Sequence, residues 1–315
     1  MVSEFMSPKM VSGVAKLDLA HLKEAYERGE NITKLLRDAC GNDQGINEVD
    51  AIEVAYELQA GSYSQGALNS YAQLSIRADE LALHLSNHLR PLDVVLDCGT
   101  GEMTTLSCAS QKLPASIKLM AFDLSPSRLN IGRRFAGRAM RGDLFASLEV
   151  FAASMECIPL PDNSVDIITS NHALEPNFGR EVQLLREMLR VSRRKLILFE
   201  PSFEDNSAQG QQRMRELGYI RGLAEHIKEA GGVLVDKVAM NNIANPLNPT
   251  FCYVIQKVEC LSSSTIASTR FICPVSRGVL DDRGGYLWSA RGYAYPKING
   301  MPLLREKDAI LMCYE

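Results

Sequence analysis

The sequence predicts an α/β fold: a doubly wound, mostly parallel seven-stranded sheet with an antiparallel last strand, a helical N-terminal cap and a small β-rich C-terminal appendix. Two observations predict it. From residue 94 onward, short β-branched runs alternate with helical patterns, which is typical of parallel βαβ units with helices on both faces. The last two apolar runs, 231–240 and 250–258, are joined by too few residues for a crossover helix, so we expect them to pair antiparallel.

The 315 residues correspond to about two domains of ordinary size. Glu4 and Phe5 are what an EcoRI cloning site encodes in frame, so we treat residues 1–10 as a cloning remnant and exclude them from the fold prediction. The Ser-rich stretch ECLSSSTIAS predicts a linker. The predicted units are a helical cap at 11–90, a main domain at 91–258, a linker at 259–268 and a β-rich tail at 269–315.

The N-terminal segment has the apolar spacing of helices. Apolar residues recur at helical intervals through 17–39, 51–58 and 68–85. A polar break at 42–47 and the sequence GSYSQG at 61–66 interrupt the pattern. We therefore expect amphipathic helices with a turn at 61–66, and interpret the segment as a lid over a site in the main domain.

The main domain alternates between the two periodicities. The first predicted strand starts at residue 94 and ends in a glycine turn, and the second, KLMAFDLS, leads into a helix with Ser125 as its N-cap. Further strands are predicted at 148–154, 164–171 and 194–202, and further helical segments at 104–112, 179–192 and 206–230.

Composition and charge favour a globular protein with a small partner. Hydrophobic residues make up 46% of the chain, charged residues 23%, and the formal net charge is −4. No apolar run approaches the ~18 residues of a membrane helix, so we expect a cytoplasmic protein without a membrane partner. Arginines at 128–141 and 186–194 lack interleaved aromatic residues, which is typical of solvated helix faces. We therefore disfavour a nucleic-acid partner and leave a homodimer open.

Metal binding is not predicted. The eight cysteines are dispersed without a CxxC pair, which indicates reduced thiols. His84 and His88 share a helix face, but no third ligand lies nearby in the sequence.

The string VVLDCGTGEMT at 94–104 carries the strongest chemical signal. Gly99 and Gly101 follow an apolar strand, where a ligand must approach the backbone closely. A dinucleotide pyrophosphate would be repelled by Asp97, whereas an ammonium group would be attracted. Asp123 ends the next strand, where a carboxylate can accept hydrogen bonds from both hydroxyls of a ribose. The alternative for Asp123 is a solvated loop residue.

Three strings resemble motifs of the class I (Rossmann-like) S-adenosylmethionine-dependent methyltransferases of the small-molecule type. LDCGTGEMT is similar to their glycine motif, FDLSPSRL to their acidic second motif, and SMECIPLPDNSVDIITSNHALE to the stretch with their third and fourth motifs. The resemblance covers roughly 90–200, and plausibly the sheet out to 258. It implies S-adenosyl-L-methionine as cofactor and methyl transfer as the activity.

The resemblance also implies a cofactor site. Asp97, Gly99 and Gly101 would hold the methionine moiety, Asp123 the ribose, and Leu124 would pack beside the adenine. Two positions depart from the family pattern. Ser154 stands where an Asp usually contacts the adenine edge, so that this contact is either weaker or made by the Met155 backbone, and Met103 replaces the third glycine.

Catalytic candidates follow the fourth strand. Asn171 and His172 are expected to face the transferred methyl group, with Asn171 also among the cofactor contacts. An imidazole can accept a proton near neutral pH, although His172 could equally hydrogen-bond a loop backbone. Candidates for contacting the acceptor are Tyr63, Tyr71, Glu175, Arg180 and Glu200. The alternative is a structural role for Glu175 and Glu200, and a surface charge at the start of a helix for Arg180.

The tail resembles the small zinc-ribbon-like domain that activates some tRNA and protein methyltransferases. FICPVSRGVL is similar to its CPxC turn and YAYPKINGMPLL to its ending. Ser276 replaces the second cysteine and the later pair is missing, so we expect a packing or dimerisation module without zinc.

The functional hypothesis is methyl transfer to an O or N atom of a small molecule, such as a secondary metabolite or saccharide precursor. The alternatives are an RNA or protein methyltransferase and a non-catalytic, cofactor-binding partner subunit.

Overall fold

The computed structural model describes residues 19–39, 41, 44–258 and 270–313, so the predicted cloning remnant and linker lie outside the described residues. The cap is helical, as predicted, but residues 61–66 do not form a simple turn between helices. Gly61, with φ +100°, ends one turn and directly begins a short helix. The cap helices are α1 (Leu19–Glu27), α2 (Ile32–Ala39), α3 (Val49–Leu58), α4 (Ser62–Asn69) and α5 (Tyr71–Ser86).

The central sheet confirms the predicted fold class. Its seven strands lie in the order β3-β2-β1-β4-β5-β7-β6. The first five in this order are parallel, and β7 is antiparallel to both β5 and β6, as the short connection predicts. The strands are β1 (Val94–Cys98), β2 (Lys118–Asp123), β3 (Glu149–Ala152), β4 (Val165–Asn171), β5 (Ser192–Pro201), β6 (Gly232–Ala239) and β7 (Thr250–Lys257).

Helices cover both faces of the sheet. The hydroxyl of Ser125 accepts from the backbone N–H of Arg128, which confirms the predicted N-cap. The predicted helical stretch 206–230 is two helices, because Gly218 and Gly222 adopt left-handed backbone conformations between them. The helices of the main domain are α6 (Thr104–Ala109), α7 (Pro126–Ala139), α8 (Gly142–Ala146), α9 (Glu181–Val191), α10 (Ala208–Leu217) and α11 (Leu223–Glu229).

The hydrophobic core lies in two layers, one on each side of the sheet. One layer packs α5, α6 and α7 against the sheet. The other packs α9 and α11 and continues into the tail, where Cys273, Tyr295 and Leu304 are fully buried. The tail therefore shares a core with the main domain, which fits its small size.

The tail is a five-stranded antiparallel sheet beside β3. The backbone N–H of Leu304 donates to the carbonyl of Ala152 at 2.7 Å, so the tail adds to the edge of the central sheet. In place of a ligand pair, the Cys273 thiol lies 3.3 Å from the Tyr295 hydroxyl and accepts from the N–H of Ser276 at 3.2 Å. Its strands are β8 (Leu280–Asp282), β9 (Tyr286–Ser289), β10 (Tyr293–Ile298), β11 (Met301–Pro302) and β12 (Ile310–Leu311).

No helix in the described part of the chain is both long and apolar enough to cross a membrane.

Candidate active site

The site lies where β1 ends, between strands whose connections leave in opposite directions, which is where open α/β sheets bind ligands. Gly99 and Gly101 form the turn there, with φ of +67° and +56°. A Cβ atom on Gly99 would lie 2.4 Å from the Cβ of Ala173, in the loop after β4. The turn therefore leaves no room for a side chain, and it brings the β1 and β4 loops together.

Asp123 ends β2 beside this turn. Its carboxylate accepts from the backbone N–H of Gly101 at 2.8 Å and of Ser125 at 2.9 Å. The Arg128 guanidinium lies 3.9 Å away. These contacts hold both carboxylate oxygens at the edge of the cavity, where they could accept hydrogen bonds from a diol.

Asp97 is a buried carboxylate without a cation beside it among the described residues. Burial raises the pKa of its carboxyl to about 7. A ligand ammonium group would offset the cost of this buried charge. The residue at the end of β1 therefore fits the cationic end of an amino-acid moiety.

The half-buried His172 and the buried Glu175 form an acid–base pair in the loop after β4. The Nδ1 of His172 pairs with Glu175 Oε2, and its Nε2 lies 2.7 Å from the Thr250 hydroxyl. Asn248 Nδ2 donates to Glu175 at 3.0 Å. A carboxylate at Nδ1 fixes the tautomer in which Nε2 carries the lone pair, and that lone pair faces the Thr250 hydroxyl.

The charges of this pair reinforce each other. Burial alone would lower the pKa of His172, but the Glu175 carboxylate outweighs it and raises that pKa. In turn, burial would raise the pKa of Glu175, while His172 and hydrogen bonds from Tyr219 and Asn248 hold it below its usual range. The pair therefore favours a charged imidazolium facing a carboxylate once a proton is taken up.

Glu200 holds the turn that presents His172. Its Oε1 accepts from the Ser170 hydroxyl at 2.7 Å and from the N–H groups of Ala173 and Leu174 at 3.0 and 3.1 Å. His172 itself adopts φ +55°, a conformation that non-glycine residues seldom take without such support. Glu200 is fully buried and does not line the cavity, so the structure places it under the site and away from any acceptor.

The cap is fastened directly to the glycine turn. Glu102, which is 2% exposed, accepts from the N–H of Gly61 at 2.9 Å and of Ser64 at 2.7 Å.

The sequence pattern places Arg128 on a solvated helix face, but this interpretation is wrong. Arg128 is buried, and its guanidinium lies between the rings of Tyr56 and Tyr63 of the cap.

A cavity of about 760 Å³ separates the cap from the sheet. This volume lies within the range of small-molecule and cofactor sites. Asp97, which lies within β1, and Gly101 do not line the cavity, although the N–H of Gly101 donates to Asp123, which does. The predicted residues that line it are Tyr63, Gly99, Asp123, Leu124, Ser154, Met155, Asn171, His172 and Glu175.

Two predicted acceptor contacts lie elsewhere. Tyr71 is half exposed and its hydroxyl interacts with Cys108, away from the cavity. Arg180 pairs with Glu156 at 3.3 Å and donates to the carbonyl of Asn47 at 2.8 Å. Arg180 therefore ties the cap to the main domain, because its donors are directed at these groups.

Sequence reasoning missed several residues of the site. Glu102 lies inside the glycine motif, and its position there was a usable signal. Thr250 and Asn248 gave none, because their approach to His172 depends on the antiparallel pairing of β7 with β5. Arg128 resembled a surface charge because the cap that buries it is distant in sequence.

Among the described residues, no group of three or more His, Cys, Asp or Glu side chains could hold a metal ion.

Comparison with known proteins agrees with this geometry. Residues 95–195 match the family model of a methyltransferase domain, a match that runs from β1 into β5 and contains the turn, Asp123 and His172. The central part of the chain is therefore similar to a methyltransferase domain. The match does not extend to the cap or the tail.

Two curated relatives are similar to this chain over the same region. The ubiquinone/menaquinone biosynthesis C-methyltransferase UbiE of Legionella pneumophila (strain Corby) is 32% identical over 107 residues, covering 33% of this chain and 40% of that protein. The demethylmenaquinone methyltransferase of Symbiobacterium thermophilum is 34% identical over 106 residues, with the same coverage. The chain thus matches only 40% of the length of these relatives.

Among solved structures, the complex between the Haloferax volcanii Trm112 methyltransferase activator and its methyltransferase contains a similar chain. The TM-score is 0.50 at 16% identity, and the match covers 65% of this chain and 98% of that one. At this identity the likeness concerns the fold alone.

Proposed function

We propose that this protein is an S-adenosylmethionine-dependent methyltransferase that transfers a methyl group to a proton-bearing O or N atom of a small molecule. The observation that carries the proposal is the His172–Glu175 pair in the same cavity as Asp123 and the glycine turn. A cofactor site and a base that share one enclosed space are what such a reaction needs.

The residues fit the cofactor. Asp97, buried without a cation, suits the ammonium group, and Asp123 suits the ribose hydroxyls. Leu124, Ser154 and Met155 line the adjoining wall, where the adenine would pack. When bound, S-adenosylmethionine supplies an electrophilic methyl group carried on a sulfonium.

The chain's own chemistry is the handling of one proton. His172 Nε2 takes the proton that the acceptor loses as its O or N atom becomes methylated. Glu175 stabilises the resulting imidazolium. The Thr250 hydroxyl lies 2.7 Å from Nε2, so an acceptor hydroxyl must take its place to reach the base. Asn171 lines the same cavity as His172 and helps to orient the acceptor.

A small acceptor is favoured over RNA or protein. The cap closes over the cavity with residues of α3, α4 and α5, and Glu102 and Arg128 fasten it there. A macromolecular substrate would need this cover to leave. A non-catalytic role is disfavoured because such a role does not require the paired His172 and Glu175.

A second candidate is C-methylation of a phenolic ring. One curated relative is named a ubiquinone/menaquinone biosynthesis C-methyltransferase, and the other a demethylmenaquinone methyltransferase. Removal of a phenol proton by His172 would activate the ring carbon next to the oxygen as well as the oxygen itself. The same base therefore serves both candidates, and the methylated product distinguishes them.

Calorimetry with S-adenosylhomocysteine tests the cofactor site, and we expect saturable binding that Asp123→Ala weakens. No binding at millimolar ligand would refute the proposal.

Methyl transfer to a panel of phenols, alcohols and amines then tests the base. We expect His172→Ala to lower turnover roughly 10²–10⁴-fold with cofactor affinity retained, whereas unchanged turnover would remove His172 from the mechanism.

A further inference from the structure

Arg77 stands out among the charged residues that line the cavity. Each of the others has a partner within the chain: Glu102 holds the cap, Asp123 faces Arg128, Glu156 pairs with Arg180, and His172 pairs with Glu175. Arg77 alone makes no ion pair or hydrogen bond with any of the residues that the structure describes.

Acidic neighbours of Arg77 on α5 are committed elsewhere. Asp79 faces Lys112 at 4.0 Å. Glu80 accepts four hydrogen bonds, from the backbone and side-chain N–H groups of Asn241 and Asn242, at 2.7–2.9 Å. The helix therefore carries two carboxylates next to Arg77 in sequence, and neither neutralises it.

The surroundings of Arg77 define what it can bind. It lies on the face of α5 that lines the cavity, between Leu74 and Leu81, and opposite it the β6–β7 loop contributes Met240, Asn242 and Asn245 to the lining. We call these residues the α5 wall. A cation and amide groups on an otherwise apolar wall are complementary to a ligand that carries an anionic group on an apolar skeleton.

The position of the wall indicates which ligand carries the anion. The cofactor side of the cavity, with Leu124, Ser154 and Met155, is formed by the loops after β2 and β3. The α5 wall instead includes residues of the β6–β7 loop. This loop also supplies Asn248 and leads into Thr250, the partners of the His172–Glu175 pair. Arg77 is therefore on the side of the base.

We propose that Arg77 binds a carboxylate of the methyl acceptor, so that the enzyme selects acidic acceptors. The inference rests on the proposed function, since it concerns the second substrate of that reaction. Nothing in it depends on whether O, N or C is methylated. Arg77 is thus a specificity-determining residue, and its guanidinium supplies planar donors that match a carboxylate.

The test is calorimetry on the protein saturated with S-adenosylhomocysteine, using matched pairs of hydroxy acids and their amides, beginning with 4-hydroxybenzoate and 4-hydroxybenzamide. We expect the acid to bind about tenfold or more tighter than the amide. Arg77→Gln should abolish this preference and leave the affinity for S-adenosylhomocysteine unchanged. Arg138→Gln, an equal change of charge on the exposed face of α7, should alter neither value.

Three results would overturn the inference. Acid and amide could bind equally, or the acid not at all; the preference could survive Arg77→Gln; or Arg77→Gln could weaken S-adenosylhomocysteine binding, which would assign Arg77 to the cofactor. Failure of the proposed function gives a different result, because the native protein would then not bind S-adenosylhomocysteine in the first step.

Discussion

At the scale of single residues, the chemistry of the site depends on the pair formed by the half-buried His172 and the buried Glu175. His172 stands in a left-handed backbone conformation and is oriented by Glu175 on one ring nitrogen, while the other faces Thr250. Glu200 fixes the turn from below through two backbone N–H groups. A base held on both sides in this way is positioned before a substrate arrives, which lowers the entropic cost of reaction.

The pair predicts a specific pH dependence. His172 must be neutral to accept a proton, so turnover should rise with pH through the pKa of His172, which Glu175 raises. In Glu175→Gln the imidazolium loses its carboxylate and the pKa falls. The rise in turnover should therefore move to lower pH, while the maximal rate drops because the ring is less well oriented.

The measurement is a pH–rate profile of kcat for both proteins. Glu156→Gln is the matched control, since Glu156 also lines the cavity but pairs with Arg180. Its profile should keep the native midpoint. A Glu175→Gln profile with an unchanged midpoint would show that Glu175 does not act through His172.

At the scale of secondary-structure elements, the cap is attached to the glycine turn through helix α4. The first turn of α4 has no side-chain N-cap of its own, and Glu102 from the glycine turn takes that role for Gly61 and Ser64. The backbone of α4 and the cofactor loop are therefore one hydrogen-bonded unit.

This attachment can be tested by hydrogen exchange. Glu102→Gln places an amide NH₂ against a backbone donor and leaves it unsatisfied, which costs about 1–3 kcal/mol. We expect amides 61–65 to exchange faster, with those of α9 unchanged. Glu225→Gln, an exposed acid on α11, is the control. Equal protection of α4 in native protein and Glu102→Gln would contradict this role.

At the scale of the whole molecule, the tail connects the cap to the main domain. Arg305 Nη1 donates to Glu53 of α3 at 2.7 Å and to the carbonyl of Leu124 at 3.1 Å, and Nη2 pairs with Asp308 at 2.6 Å. Its side chain is only 10% exposed. Three units that are distant in sequence thus meet at one guanidinium beside the cavity.

Arg305→Ala should destabilise the protein by about 3 kcal/mol, because it leaves the nearly buried Asp308 without a cation and Glu53 with only the half-exposed Lys307. Lys307→Ala removes a half-exposed neighbour that also pairs with Glu53, and should cost less than about 1 kcal/mol. Chemical unfolding of the two variants measures the difference. Equal effects would mean that the Arg305 cluster is no stronger than a surface pair.

Much of the fold was predictable because local periodicity encodes it. The strands from 94 to 257, the Ser125 N-cap and the antiparallel final pair follow from apolar spacing, capping chemistry and connection length. The site was partly predictable for the same reason, since Asp97, Asp123 and His172 stand at strand ends that a parallel sheet brings to one edge.

Residues whose role depends on packing between distant segments were not predictable. Tyr71 and Arg180 resemble acceptor contacts in sequence, yet one faces α6 and the other ties down the cap. Arg128 resembles a surface charge until two cap tyrosines cover it. For these three residues, the burial and the direction of the side chain depend on segments that are distant in sequence.

The sequence by itself determined the α/β architecture, the glycine turn and the strand-end carboxylates, because these depend on local backbone preferences and on periodicity. Only the tertiary structure decided that Glu175 pairs with His172, that Glu102 and Arg305 join cap and tail to the site, and that Arg77 faces the cavity without a partner. The contacts of Glu102 and Arg305 join residues up to 252 positions apart, and their energies exist only once the core has brought those segments together.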